Sequence, residues 1–154
     1  MDRRTLLLAA LCAGAALAGA LPYDESADAK AEVRQALADA GHSKLPVLVI
    51  FGANWCEDCR ALDTALKSGR NAELMARSFK VVKVDVGNFD RNLDLAASYG
   101  NPIKKGIPAA VVLSPANQVL YATRAGELAD ARRMSESGIH DFFTRAVQTA
   151  AAKP

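Results

Sequence analysis

The sequence predicts a single α/β domain with a mixed central β-sheet flanked by helices on both faces. Apolar runs of strand length alternate with amphipathic helical patterns through the first two thirds of the chain, which favours parallel strands joined by helices. Two further apolar runs flank the turn Ser114-Pro115-Ala116-Asn117, which favours an antiparallel hairpin. The chain has 154 residues, of which 51% are hydrophobic and 23% charged, as is typical of one globular domain with its own core.

The first twenty residues have the pattern of a secretory signal peptide. Asp2-Arg3-Arg4 is a charged start, an apolar stretch of small residues follows, and Ala18-Gly19-Ala20 offers a small-x-small cleavage site. We therefore divide the chain into a signal peptide over 1–20 and a mature domain over 21–154. An uncleaved membrane anchor is the alternative, although the segment is short of the roughly 20 apolar residues that a span needs. Cys12 would leave with the signal.

The mature chain is predicted to begin loosely, over Leu21 to Asp24. A first helix follows, with Ser26 as its cap and Gly41 as its end, because apolar residues recur between them at helical spacing. His42 then falls in a linker. The continuous apolar run from Pro46 to Phe51 favours a strand that is buried at the centre of the sheet.

A helical pattern begins directly after this strand, at Cys56. Cys59, Leu62 and Leu66 share one stripe of it, so Cys59 is expected to face the core while Cys56 stands at the open tip. Ser68-Gly69-Arg70-Asn71 breaks this helix, and a short helix is predicted over Ala72 to Ser78.

The remaining elements follow from the same two periodicities. Strands are predicted over Phe79 to Val86, Ala109 to Leu113 and Val119 to Thr123. Asp90 is expected to cap a helix that ends at Gly100, and Asn101 to Gly106 is expected to be a loop. The last segment is predicted to be a helix interrupted near Ser137-Gly138, with a buried face that consists of Phe142, Phe143, Ala146 and Val147.

The chemistry of the sequence is concentrated in Cys56-Glu57-Asp58-Cys59. Residues i and i+3 share one face of a helix, so the two sulfurs can approach bonding distance. A thiol in the first helical turn also meets unpaired N–H groups and the positive end of the helix dipole, which favour its thiolate. The spacing thus indicates a site for thiol–disulfide exchange. The alternative, half of a zinc site, needs two more ligands, and the mature chain offers only His42 and His140, the latter expected on the exposed side of the last helix.

Two separate motifs resemble the thioredoxin family. Trp55-Cys56-x-x-Cys59 after an apolar strand resembles its active-site motif, and Lys105-Gly106-Ile107-Pro108 resembles its Gly-Ile-Pro, in which the proline is cis. Gly126 matches a glycine that the family keeps after its hairpin. The resemblance covers residues 45–150 and implies a thioredoxin fold. The whole mature chain is most similar to exported thioredoxin-like proteins of Gram-negative bacteria, which implies a periplasmic location.

The resemblance also implies roles for individual residues. Cys56 would be the nucleophile that attacks a partner disulfide, and Cys59 the thiol that resolves the mixed disulfide. Ile107, Pro108 and Trp55 would form the substrate-binding surface beside the sulfurs.

The implied activity is that of a protein-disulfide oxidoreductase. Its partners would be protein thiols and disulfides together with an upstream redox partner, and it would need no metal or other cofactor. We expect a monomer without stable membrane insertion after signal cleavage, and the net charge of +2 gives no reason to expect nucleic acid. Two alternatives are a non-catalytic binding or chaperone module and a metallochaperone.

The sequence departs from the thioredoxin pattern at two places. Thioredoxins carry a buried Asp six residues before the first cysteine, where this chain has Ile50, and they usually carry Gly-Pro where it has Glu57-Asp58. Two carboxylates beside Cys56 should raise its pKa, which favours a reductase or isomerase over a strong oxidase. Asp63, four positions after Cys59, either replaces the missing acid or is a solvated helix residue; we favour the solvated residue.

The segment from Asn88 to Lys105 is longer than its thioredoxin counterpart. It either shapes the choice of partner or is surface filler.

Overall fold

A computed structural model describes residues 20–154 and contains a four-stranded mixed sheet in the order β2-β1-β3-β4. β1 pairs in parallel with β2 and antiparallel with β3, and β3 and β4 form an antiparallel hairpin. The strands are β1 (Val47–Gly52), β2 (Lys80–Asp85), β3 (Ala109–Leu113) and β4 (Val119–Ala122). Within residues 20–154 these strands confirm the predicted fold class and all four predicted strands, with slightly shorter ends at β2 and β4.

Among residues 20–154, five α-helices cover the two faces of the sheet. They are α1 (Ala29–Ser43), α2 (Glu57–Leu66), α3 (Gly69–Ser78), α4 (Leu93–Ser98) and α5 (Glu136–Ala151). α1 and α4 contribute to one apolar core, and α2, α3 and α5 build the other. Every residue of β1 is buried, since this strand lies between β2 and β3 and is covered by helices on both sides. The strand that leads into the cysteine motif is therefore buried along its whole length, as is β3.

The first helix differs from its prediction at both ends. Asp28, not Ser26, is the N-cap, and its side chain accepts a hydrogen bond from the N–H of Ala31. The helix continues through Gly41 and ends at Ser43, where Lys44 takes the left-handed conformation that a glycine would usually supply. His42 consequently lies in the last turn of α1 and not in a linker.

Three other boundaries also differ from the predictions. α3 begins at Gly69, so the segment expected to break the helix contains the start of the next one. α4 begins at Leu93 after Asn92, while Asp90 belongs to the preceding turn and accepts a hydrogen bond from the N–H of Asn88. The predicted loop before Gly106 contains a 3₁₀ turn over Pro102–Lys105.

The last helix is continuous and begins where an interruption was predicted. Ser135 is its N-cap and accepts a hydrogen bond from the N–H of Gly138 at 3.0 Å, so Gly138 lies in the first turn. Phe142, Phe143 and Ala146 are buried as predicted, whereas Val147 is half-buried at the edge of the core.

The predicted signal peptide falls outside the described residues except for Ala20, so it stays a prediction. In the part of the chain that the structure describes, no helix combines the length and apolar character that crossing a membrane requires.

Candidate active site

Cys56 and Cys59 form a disulfide at the N-terminus of α2, with their Cα atoms 5.2 Å apart. Cys56 is the N-cap of the helix, and its Sγ accepts a hydrogen bond from the N–H of Cys59 at 3.1 Å. A sulfur in this position replaces the oxygen of an ordinary capping residue, and the same N–H would stabilise a thiolate there. Cys59 is almost fully buried at 1% exposure and faces the core as predicted, while Cys56 is 6% exposed and lines an open groove beside Trp55 and Ile107.

The loop before β3 brings a second backbone segment to the cysteines. The Ile107–Pro108 peptide bond is cis, and the carbonyl oxygen of Ile107 lies 3.8 Å from Cys56 Sγ. Gly126 supports this loop from behind. Its φ is +71°, and a Cβ there would lie 2.7 Å from the backbone oxygen of Lys105. The positive φ and the close backbone contact each require glycine at position 126, which explains in physical terms why a glycine follows the hairpin.

An exposed aromatic pair stands on the other side of Cys56. Trp55 is 54% exposed and is held by a hydrogen bond from its Nε1 to the carbonyl oxygen of Gly87 at 2.8 Å. Phe89 packs edge-on against it with ring centroids 6.2 Å apart. Phe89 has a φ of +60°, a left-handed conformation that is strained for a bulky side chain. Phe89 belongs to the segment of extra length, but nothing in the sequence singles it out.

The two carboxylates between the cysteines are paired with Arg132. The backbone N–H of Arg132 donates to Asp58 Oδ1 at 3.0 Å, and its guanidinium forms an ion pair with Glu57. Arg132 lies in a 3₁₀ turn over Ala131–Arg133, far along the chain from the motif. The predicted rise of the Cys56 pKa assumes that the carboxylates of Glu57 and Asp58 are unpaired. A guanidinium in contact with both offsets part of their negative potential at Cys56.

An ion pair lies beside Ile50, where thioredoxins carry their buried acid. The β2 residue opposite Ile50 is Lys83, and its ammonium pairs with Asp63 of α2, which also pairs with Lys67 at 2.8 Å. The side chain of Asp63 is only 11% exposed, so the favoured interpretation of a solvated residue is wrong. Burial lowers the pKa of Lys83. Asp63 is thus a largely buried, ion-paired residue on the side of α2 that meets Lys83 of β2.

The segment expected to be a loose start contains a buried residue of the site, Tyr23. It is 4% exposed, its N–H donates to Asn54 Oδ1 at 2.9 Å, and Asn54 Nδ2 donates to its carbonyl oxygen at 2.8 Å. A Cβ on Gly52 would overlap Tyr23 Oη and lie 2.9 Å from Cys59 Sγ. Burial, and secondarily the carboxylate of Asp85, hold the pKa of Tyr23 above its usual range. The signal in the sequence is an aromatic residue directly before the polar run Asp24-Glu25-Ser26.

The two histidines are not part of this site. His140 is half-buried, not exposed, and its Nδ1 shares a hydrogen bond with Asn71 Oδ1 at 3.0 Å between α5 and α3. His42 is exposed at the end of α1. Within residues 20–154, no group of three or more His, Cys, Asp or Glu side chains is placed to hold a metal ion.

A cysteine pair at a strand-to-helix junction, facing a cis-proline loop on this sheet, defines a dithiol–disulfide protein of the thioredoxin fold. The chain belongs to the thioredoxin-like family, whose family model matches residues 28–115.

Several solved or curated proteins are similar to it. The crystal structure of a disulphide isomerase from Xylella fastidiosa Temecula1 is 55% identical, covers 82% of this chain and 97% of its own, and superposes with a TM-score of 0.81. A thioredoxin from Thermus thermophilus, at 23% identity, covers 77% of this chain and 83% of its own with a TM-score of 0.53, which shows the shared fold alone. The thioredoxin of Pyropia yezoensis is 36% identical over 78 residues, which span 51% of this chain but only 65% of the curated relative.

Proposed function

We propose that the protein is a thiol–disulfide oxidoreductase that acts on protein thiols and disulfides through Cys56 and Cys59, on the reductase or isomerase side. The observation that carries the proposal is the position of Cys56. Its sulfur caps α2, accepts the N–H of Cys59, and lies beside the carbonyl oxygen of Ile107. A sulfur in such a position is favoured as a thiolate, which is the species that attacks a disulfide.

The reaction follows from the different accessibility of the two sulfurs. The Cys56 thiolate attacks one sulfur of a partner disulfide, and the other partner sulfur leaves as a thiolate that takes a proton from water. Cys59 lies behind Cys56 in the same turn, so its thiolate is placed to attack Cys56 and release the second partner sulfur. The partner gains two electrons, and the protein ends as the Cys56–Cys59 disulfide. An isomerase would use the same first step and let the partner's own thiols resolve it.

The surface around Cys56 suits an extended peptide. Ile107 offers a backbone beside the sulfur, and the exposed rings of Trp55 and Phe89 offer apolar area on the other side. Arg60 and Arg132 line the same open groove. A disulfide in a flexible or unfolded segment, flanked by an apolar residue, would fit this surface better than a disulfide inside a rigid core.

The direction of electron flow rests on two supports. The similar protein from Xylella fastidiosa is described as a disulphide isomerase. The Glu57-Asp58 pair also disfavours the Cys56 thiolate, although Arg132 reduces that effect. A reductase or isomerase must be kept reduced, so the proposal includes an upstream redox partner. The signal-like pattern of residues 1–20 supports the second part of the proposal, a periplasmic location after signal cleavage. A reduction potential near that of the strong periplasmic oxidants, about −120 mV, would overturn the reductase or isomerase assignment.

The activity is tested with two purified variants. The wild type should reduce insulin in the presence of dithiothreitol and should rescue scrambled ribonuclease, and Cys56→Ser should do neither. Equal activity in both would refute the proposal and favour a non-catalytic binding module. In cells, Cys59→Ser should accumulate mixed disulfides with its partners, because the first step proceeds and the resolving step is lost. Cys56→Ser is the matched control, and no adduct specific to Cys59→Ser would contradict the assigned order of the two cysteines.

A further inference from the structure

Tyr23 and the resolving cysteine meet at the space that Gly52 leaves open. Tyr23 Oη and Cys59 Sγ each lie less than 3.0 Å from the point that a Cβ on Gly52 would occupy, although the oxidised protein has no hydrogen bond between them. Asn54 fixes Tyr23 in this place through both of its backbone groups. Those bonds involve the backbone of Tyr23 and not its hydroxyl.

Cys59 needs a hydrogen-bond donor in the reduced protein. Its thiolate must form before it can resolve a mixed disulfide, and burial disfavours a charged sulfur. At the β1 position where thioredoxins carry their buried acid, this chain has Ile50, which is buried and has no polar group. The N–H of Cys59 itself is directed at the other sulfur, Cys56 Sγ.

We propose that the hydroxyl of Tyr23 donates a hydrogen bond to the Cys59 thiolate and so speeds the resolving step. This inference rests on the proposed function. In that step the Cys59 thiolate attacks Cys56 Sγ, the bond between Cys56 and the partner breaks, and the Cys56–Cys59 bond forms. The partner sulfur leaves with the electron pair and takes a proton from water, so the partner is reduced and the protein is oxidised by two electrons. Tyr23 keeps its proton throughout.

The charges around the phenol keep it a donor. Burial and the carboxylate of Asp85 raise the pKa of Tyr23, so the hydroxyl stays protonated over the whole range in which thiols titrate. Asp85 is itself held by the N–H of Gly87 and by the guanidinium of Arg91. Asp63 lies one turn along α2 from Cys59 and is paired with Lys67 and Lys83. A neutral donor, rather than a base, is thus what the phenol can supply.

The test measures the pKa of Cys59 directly, from the ultraviolet absorbance of its thiolate in the Cys56→Ser background. Tyr23→Phe keeps the ring and removes only the hydroxyl. We expect it to raise the Cys59 pKa by about one unit, the usual effect of one hydrogen bond to a charged group. Tyr99→Phe is the matched control, since Tyr99 is another buried tyrosine whose hydroxyl bonds to Asn117, and it should leave the pKa unchanged.

A kinetic measurement separates this role from a structural one. With both cysteines present, Tyr23→Phe should slow the release of a small thiol from a preformed Cys56 mixed disulfide about threefold below the Cys59 pKa, because the greater nucleophilicity of a more basic thiolate offsets part of the tenfold loss of thiolate. The preceding attack of Cys56 on a disulfide reagent should keep its wild-type rate. An unchanged Cys59 pKa, or equal slowing of both steps, would overturn the inference.

If Tyr23→Phe does not fold, the Cys56→Ser protein provides the test. The ring carbon of Tyr23 that bears the hydroxyl should change its NMR shift with the same midpoint as the Cys59 thiolate, and no such change would overturn the inference. Neither pKa measurement needs a protein substrate. A wild type without insulin-reducing activity would therefore refute the proposed function and leave the result on Tyr23 to be judged separately.

Discussion

Gly52→Ala should destabilise the protein through one methyl group at the end of β1. The added Cβ would overlap the hydroxyl and ring of Tyr23 and would lie 2.9 Å from Cys59 Sγ. Neither neighbour has room to move easily: the ring of Tyr23 is buried at 4% exposure, and Cys59 is fixed by the helix and by its disulfide. The ring must therefore leave its place, or the strand must shift.

The expected cost follows from this geometry. Overpacking a well-packed core by one methylene typically costs 1–3 kcal/mol, and we expect about 2 kcal/mol here because both obstructing groups are restrained. For a domain of this size, that loss lowers the melting temperature by roughly 6 °C.

Gly41→Ala is the matched control, because it adds the same methyl group where nothing lies within 4 Å. Gly41 lies inside α1, so alanine should stabilise the helix by about 0.5–1 kcal/mol. Urea unfolding of the oxidised proteins, followed by circular dichroism, measures both changes, and their signs should be opposite. A Gly52→Ala protein as stable as the wild type would mean that Tyr23 is not packed against this strand, and the reasoning about the phenol would fail with it.

Two further predictions concern the charges around the site. Arg132→Ala should remove the counter-charge of Glu57 and Asp58, raise the Cys56 pKa by about half a unit and make the couple more reducing. The control is Arg133→Ala, which removes an exposed neighbouring arginine and should change neither the pKa nor the reduction potential. Equal Cys56 pKa values in the two variants would contradict the assigned pairing. Asp63→Asn should cost about 2 kcal/mol at pH 7, because it leaves the ammonium of Lys83, 25% exposed, without its counter-charge. Burial lowers the pKa of Lys83, so its ammonium loses its proton at a lower pH in the native state than in the unfolded state. The stability cost of Asp63→Asn should therefore shrink as the pH rises from 7 towards 10. Urea unfolding at these two pH values measures the cost, and an equal cost at both would count against a buried charge on Lys83.

The fold and the two motifs could be predicted because each leaves a local pattern. β1, β3 and β4 are continuous apolar runs, β2 is a valine-rich run interrupted by lysines, and the cysteine spacing on a helix determines which sulfur faces the core. The exact ends of the helices are harder to predict from sequence. Ser26 and Asp28 are both good caps, and only the tertiary structure decides between them.

The rest of the site depends on contacts between residues far apart in the chain. Arg132 reaches the acidic pair from a turn more than seventy residues away, and Tyr23 reaches Cys59 from a segment with no periodic pattern. Asp63 could be suspected from its spacing, but the decisive observation is the position of Lys83 across the sheet from Ile50. Sequence patterns report neighbours along one element, and these pairs join different elements.

The two-sided hold of Asn54 on Tyr23 has a practical consequence for anyone who shortens or tags this protein. A fragment that starts at the first helix would look sensible by secondary structure. It would nevertheless remove the N–H and the carbonyl oxygen of Tyr23, which are the two backbone partners of the Asn54 amide. It would also leave a cavity next to Gly52 and Cys59 in place of the phenol ring. Such a fragment could keep its fold and still be a poor guide to the chemistry, so expression should begin no later than Pro22.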